Sequence, residues 1–209
     1  MSKSIRLLLV DDHSVVRMGL SAVLSLESDL RVVGEAEDGA QALQRFRTER
    51  PDVVLMDLRM PGTDGVAALR TLLAENPAAR VLMLTTSELD HDLQLAMAAG
   101  AAGYLPKSVS RRELVHAIRQ VHAGGGVYVP IALQKKLEQL ATRKPLSPRE
   151  HEVLDGMRRG LTNVQIGIAL GISEHTAKAH VRAILEKLES GDRAEAVARG
   201  FELGMLHVD

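Results

Sequence analysis

The sequence predicts an α/β chain in two parts: a doubly wound parallel sheet of five strands, then a small all-α domain containing a helix-turn-helix. Three observations predict it. Short apolar runs and longer amphipathic stretches alternate five times through residue 123. A glycine triplet, Gly124 to Gly126, followed by Pro130, ends that alternation. From Pro145 onward no strand pattern remains, only stretches at helical spacing.

Residues 5–10 (IRLLLV) form a continuous apolar run, as expected of a strand buried on both faces. Residues 14–26 follow with Val15, Val16, Met18, Gly19, Val23 and Leu26 at helical spacing. The remaining units pair strands at 30–34, 53–56, 81–84 and 103–105 with helices at 40–48, 66–74, 90–99 and 111–123. Such alternation implies a parallel sheet covered by helices on both faces. Right-handed crossovers then give flavodoxin-like winding. Residues 131–143 read as an amphipathic connector helix (Ile131, Leu133, Leu137, Leu140), and further helices are expected at 148–159, 163–170, 174–188 and 193–203. The expected division is a first domain over 1–124, a linker over 125–144 and a second domain over 145–209.

Composition narrows the class. The chain has 209 residues, 45% of them hydrophobic, which is enough for one large or two small cores. It has no cysteine, which excludes a disulfide framework or a thiolate metal site and fits a reducing, intracellular compartment. No signal-peptide pattern opens the chain, and no apolar run approaches the roughly 20 residues that span a bilayer. The expectation is a soluble, cytoplasmic protein without a membrane partner. The net charge of -1, from 26 Lys+Arg and 27 Asp+Glu, is not that of a nucleic-acid binder, so any DNA contact must come from a local patch.

In a doubly wound sheet, function sits outside the carboxyl ends of the strands. The first strand ends in Asp11-Asp12, the third in Asp57 and the fourth in Thr85-Thr86, while Lys107 follows the fifth. Three carboxylates, a hydroxyl and an ammonium thus converge on one edge. Clustered carboxylates repel, and a hard cation such as Mg²⁺ relieves that with oxygen ligands. A carboxylate beside the metal can attack phosphorus and form an aspartyl phosphate. Metal, Lys and hydroxyl then balance the charge on the phosphoryl oxygens.

These segments, LLLVDDH (7–13), DVVLMDLRMPGTDG (52–65), LTT (84–86) and GYLPK (103–107), resemble a receiver domain over about residues 4–123. The resemblance implies that Asp57 is the phosphoacceptor and takes its phosphoryl group from a phosphohistidine on a cognate histidine kinase. It implies that Asp12 ligates Mg²⁺ directly, Asp11 largely through water, and that Asp57 and the backbone carbonyl of Arg59 complete the metal set. Thr85 would hydrogen-bond the phosphoryl group and Lys107 would pair with it. Tyr104 resembles an aromatic switch that swings inward when Thr85 moves; the alternative is a half-buried strand tyrosine with a wet hydroxyl. His13 abuts the site and is given no role.

The second part opens with LSPRE (146–150), in which Ser147 can cap a helix and Pro148 suits its first position. Gly171 to Ser173 separate two short helices in a helix-turn-helix pattern. The second of these carries Ala177, Val181, Ile184, Leu185 and Leu188 as a core stripe. Lys178 and Arg182, four residues apart on the other side, can reach guanine edges or phosphates from the major groove of double-stranded DNA. LSPREHEVL, GLTNVQIGIALGIS, TAKAHVRAIL and DRAEA resemble the LuxR-type output domain of the NarL/FixJ family. By position, the resemblance puts Lys178, Ala179 and Arg182 at base edges, Thr176 and Asn163 near phosphates, and the last helix at a homodimer surface formed on activation. On pattern alone, Ala194, Val197, Ala198 and Phe201 of that helix serve equally as domain core.

Some positions depart from the family. Gly167 stands where alanine is usual, an expected cost of up to about 1 kcal/mol to its helix. Ala177 stands where valine is usual and Ser190 where an apolar loop residue is usual, and each of the three changes is expected to trim the small core. Val164 and Ile168 are apolar where the family is often charged. From Pro145 onward, eight Lys+Arg against ten Asp+Glu give a net charge of -2, so weak, salt-sensitive binding by a single domain is expected.

The whole reads as a DNA-binding transcription regulator controlled by phosphorylation of Asp57, not a turnover enzyme. A phosphohydrolase would need an acid/base Asp where Arg59 stands. The remaining alternative is an interaction protein whose output domain binds DNA weakly or not at all.

Overall fold

The computed structural model describes residues 4–60, 63–86, 90–142 and 146–206. Pro61 and Gly62 of the aspartate motif, Arg143 of the expected connector helix and Pro145 lie outside these residues. The chain divides into two compact units, one of residues 1–88 and 92–134, the other mainly of residues 135–209.

In the first unit, β1 (Ile5–Val10), β2 (Leu30–Ala36), β3 (Val53–Asp57), β6 (Val81–Thr85) and β7 (Gly103–Pro106) form one parallel sheet in the order β2-β1-β3-β6-β7. Helices α1 (Ser14–Leu24), α2 (Gly39–Glu49), α3 (Gly65–Glu75), α4 (Asp90–Ala98) and α5 (Arg111–His122) alternate with these strands. The sequence predicts the strands well because β1, β3 and β6 are buried almost without interruption, so no polar face breaks the apolar run. Helix starts are set by short polar side chains: Asp38, Asp64 and Ser110 each accept a backbone N–H from the first turn of α2, α3 and α5.

Three features lie outside the sequence expectation. A two-stranded ribbon, β4 (Arg59–Met60) with β5 (Thr63–Asp64), follows Asp57. Strand β2 runs on to Ala36, two residues past its expected end. The segment after α5 returns to the sheet edge: Tyr128 bridges Gly103 in parallel, its carbonyl accepts from Tyr104 N at 2.9 Å, and its N–H donates to Ala102 O at 3.0 Å.

Next in the chain come α6 (Ile131–Thr142) and then the helices of the second unit, α7 (Pro148–Arg158), α8 (Asn163–Leu170), α9 (Glu174–Lys187) and α10 (Arg193–Glu202). Ser147 and Thr162 form capping boxes with Glu150 and Gln165. The α9 stripe packs as predicted: Ala177, Ile184 and Leu188 are buried, and Val181 and Leu185 are partly buried against the same core. In α10 the core face passes through Ala196 and Gly200, with Val197 and Phe201 partly buried, whereas Ala194 and Ala198 are exposed. Ser190 turns its hydroxyl onto Leu188 O at 3.2 Å. Gly167 corrects its expectation: a Cβ there would lie 2.8 Å from Ile172 O, so the glycine admits the turn between α8 and α9 against α8. Among the described residues, no helix is long and apolar enough to cross a membrane.

Candidate phosphoacceptor site and DNA-facing helix

Strands β1 and β3 are neighbours, and the chain leaves them toward opposite sides of the sheet, which opens a crevice at their carboxyl ends. Asp11, Asp12 and Asp57 lie there. Asp11 and Asp57 are 2% and 4% exposed, so both carboxylates are held nearly out of water. Lys107, delivered by the turn after β7, bridges them: its Nζ is 2.6 Å from Asp11 Oδ2 and 2.8 Å from Asp57 Oδ2. Its backbone N–H donates to Thr85 O at 2.6 Å, tying the lysine turn to the end of β6. Asp57 Oδ1 accepts from Arg59 N at 3.4 Å, and Asp11 Oδ1 from His13 N at 2.9 Å. Asp12 is more open, with His13 Nδ1 3.0 Å from its Oδ1. One ligand atom each from Asp11, Asp12, His13 and Asp57 lie within 4.8 Å of one another.

Burial pushes the Asp57 carboxyl above its ordinary acidity range, against the pull of Lys107. Burial draws the Lys107 ammonium down, but its hydrogen bonds to Asp11 and Asp57 outweigh this and raise it. The raised Asp57 means that its ionised form weakens the fold at neutral pH, and that this cost is relieved as pH falls through the folded-state value. Asp57→Asn is therefore expected to raise stability in EDTA at pH 7, measured by urea denaturation; a loss of stability would contradict it.

Thr85 is buried at the end of β6, whose Leu84 pairs with Asp57. Tyr104 is 2% exposed, so the wet-hydroxyl alternative fails. Its hydroxyl lies beside the Thr85 side chain, and burial pushes its pKa up to about 12.

Two charged residues of the site carry no sequence signal strong enough to find them. Arg17 sits on α1 among apolar residues yet is buried; Nη1 donates to Asp11 O at 2.6 Å, while Nε and Nη2 meet Glu35 at 3.2 Å and Glu37 at 3.0 Å. It clamps the end of β1 to the β2 side of the sheet, and Glu35 belongs to the unexpected extension of β2. Asp92 on α4 is also buried and pairs with Arg59.

In the second unit, Lys178, Ala179 and Arg182 are exposed together on α9, opposite its buried stripe. Thr176 is half-buried, with its N–H and hydroxyl engaged by Ser173 Oγ at 3.1 and 2.8 Å. Asn163 is half-buried at the start of α8, and its Oδ1 accepts from Arg193 Nη1 at 3.4 Å. Glu150 pairs with Lys187 at 2.7 Å, joining α7 to α9; burial works against its ionisation, but Lys187 and Ser147 hold the carboxyl below its ordinary range.

Comparison with known proteins bears on both units. Residues 7–119 match the family described as response regulator receiver domain, and residues 144–199 that described as bacterial regulatory proteins, luxR family. The chain is 37% identical over 207 residues to the response regulator protein VraR of Staphylococcus aureus, covering 97% of this chain and 99% of VraR. Among solved structures it is similar to ChrA, the response regulator of a heme-sensing two-component system, at 37% identity, 98% and 100% coverage and a TM-score of 0.58. It is also similar to RcsB of Salmonella enterica serovar Typhimurium, solved bound to a promoter with the phosphomimetic BeF3−, at 23% identity, 96% and 100% coverage and a TM-score of 0.74. At that identity the likeness is one of fold.

Proposed function

Because the chain belongs to the two-component response regulators of the NarL/FixJ type, with a receiver domain and a luxR-type DNA-binding domain, we propose that phosphorylation of Asp57 by a cognate histidine kinase switches DNA binding through α9. The observation that carries this is Lys107 Nζ within 2.8 Å of two buried carboxylates at the carboxyl edge of the sheet. In the proposed transfer, an Asp57 carboxylate oxygen attacks the phosphorus of a phosphohistidine. The P–N bond breaks as the P–O bond forms, and the imidazole leaves with the electron pair and takes up a proton. Lys107 pairs with the phosphoryl oxygens, Thr85 donates its hydroxyl to one of them, and Tyr104 follows Thr85 as the switch.

A divalent cation fits the donor set. Three carboxylates with oxygens this close leave an excess of negative charge that one lysine does not balance. Asp11, Asp12, Asp57 and the Arg59 carbonyl would hold Mg²⁺, which when bound supplies charge neutralisation for the incoming phosphoryl group.

The receiver domain is assigned to residues 1–124, with the return at Tyr128 completing its sheet edge, the rest of 125–144 to the linker and 145–209 to the output domain. The protein works as a cytoplasmic regulator and not a turnover enzyme, forming a homodimer on activation. Lys178, Ala179 and Arg182 read base edges, with Thr176 and Asn163 near phosphates. Lys178→Ala and Arg182→Ala are each expected to weaken DNA binding about tenfold, the worth of one good base or phosphate contact. Melting should not change, since both side chains are exposed.

The deciding experiment is a DNA-binding titration with the protein's own upstream region. Wild type and Asp57→Ala are compared with and without Mg²⁺ and acetyl phosphate. The expected result is a gain in affinity confined to wild type. Equal binding that ignores the phosphodonor would remove the receiver as the switch.

A further inference from the structure

Arg59 lies two residues after Asp57, and its backbone N–H already contacts the Asp57 carboxylate. A guanidinium so placed is within reach of any phosphoryl group formed there. The side chain goes elsewhere. Nη2 and Nε hold Asp92 Oδ2 on α4 at 2.8 and 3.2 Å. The two ends differ sharply in exposure: the Asp92 side chain is 12% exposed and that of Arg59 59%. The carboxylate therefore depends on its partner, since a charge left buried without one is strongly destabilising. The arginine has no such dependence, because water can serve it.

We propose that Asp92 is a positioning residue that withholds the Arg59 guanidinium from the phosphoryl group on Asp57, and so sets how readily that pocket accepts an anionic phosphoryl group. This rests on Asp57 being the phosphoacceptor. Lys107 already pairs with Asp57, so the phosphoryl group has one cation without Arg59. Drawing the second across would strand Asp92. The pair thus keeps a strong anion ligand in reserve, next to the site but turned away. Whatever moves α4 away from β4 releases that ligand.

The probe is beryllofluoride with Mg²⁺, titrated into the full-length protein by calorimetry. Asp92→Asn removes the charge that holds Arg59 and keeps nearly the same shape. Its affinity for the probe is expected to rise about fivefold, the worth of one added charge-assisted hydrogen bond discounted for partial exposure. In an Arg59→Ala background, Asp92→Asn is expected to add nothing. A merely structural role for Asp92 predicts no gain, so unchanged or weaker binding at wild-type melting temperature overturns the proposal. A gain that persists without Arg59 overturns it too. Should Asp92→Asn fail to fold, the wild-type protein decides by NMR. The Arg59 Nε–H resonance is expected to stay put as beryllofluoride binds, and a large shift on binding means that the side chain is not withheld. Asp57→Ala separates the two readings: if it still binds the probe, the phosphoacceptor assignment itself is wrong.

Discussion

Lys107→Met is expected to cost about 3 kcal/mol of stability at pH 8 in EDTA, the scale for breaking a buried ion pair from one side. Methionine keeps the bulk of the lysine stem and removes only the ammonium. The ammonium spans two carboxylates that are each less than 5% exposed. Without it, Asp11 and Asp57 face each other nearly dry, and burial already raises Asp57. The pH dependence has a definite sign. A carboxyl whose folded value is raised takes up a proton in the folded state first, so the penalty is full above that value and fades as pH falls through it. The gap between variant and wild type should therefore shrink toward pH 5. Millimolar Mg²⁺ should narrow it at pH 8 as well, since the same oxygens form the proposed cation site. Urea denaturation at the two pH values, with EDTA or Mg²⁺, measures all of this. A variant as stable as wild type at pH 8 in EDTA would show that Lys107 does not stabilise the carboxylates.

The second large effect is steric. Gly65 begins α3, and its N–H donates to Leu58 O at 3.0 Å. A Cβ on it would lie 2.3 Å from Asp57 O and 2.7 Å from Leu58 O. Both are backbone atoms, so no side chain can turn aside to relieve the clash. Either α3 backs away or the Asp57 peptide rotates, and the second option moves the phosphoacceptor. Gly65→Ala is expected to cost about 3 kcal/mol, the upper range for overpacking, and to slow acetyl-phosphate incorporation at Asp57. The gain in helix propensity, about 1 kcal/mol, works the other way and is too small to decide the sign. Near-wild-type urea stability would show that the loop yields at little cost.

Legibility in the sequence followed the range of the interactions. The buried strands were readable because their apolar runs are local facts, and Asp11, Asp57 and Lys107 because strand ends in a doubly wound sheet share an edge by topology. The ribbon β4–β5 was missed because two residues per strand carry no period. Arg17 was missed because an arginine in an amphipathic helix ordinarily faces water. Its three acceptors, Asp11 O, Glu35 and Glu37, come together only when β2 lies against β1. Asp92 lies 33 residues from Arg59, and nothing local on α4 marks it as a partner. Gly167 was read as a weak helix position because propensity is visible in sequence and the approach of the Ile172 carbonyl is not.

The short return of the chain at Tyr128 bears on how the first unit can be handled alone. Without it, the outer side of β7 is an open row of amides and carbonyls. Such a strand edge recruits another like itself. The Tyr128 N–H and carbonyl take up Ala102 O and the Tyr104 N–H, and its ring meets His116 edge-on at 5.7 Å between centroids. A fragment ended at the glycine triplet would leave that edge bare and invite strand-to-strand aggregation. One extended past Val129, itself buried, carries its own guard.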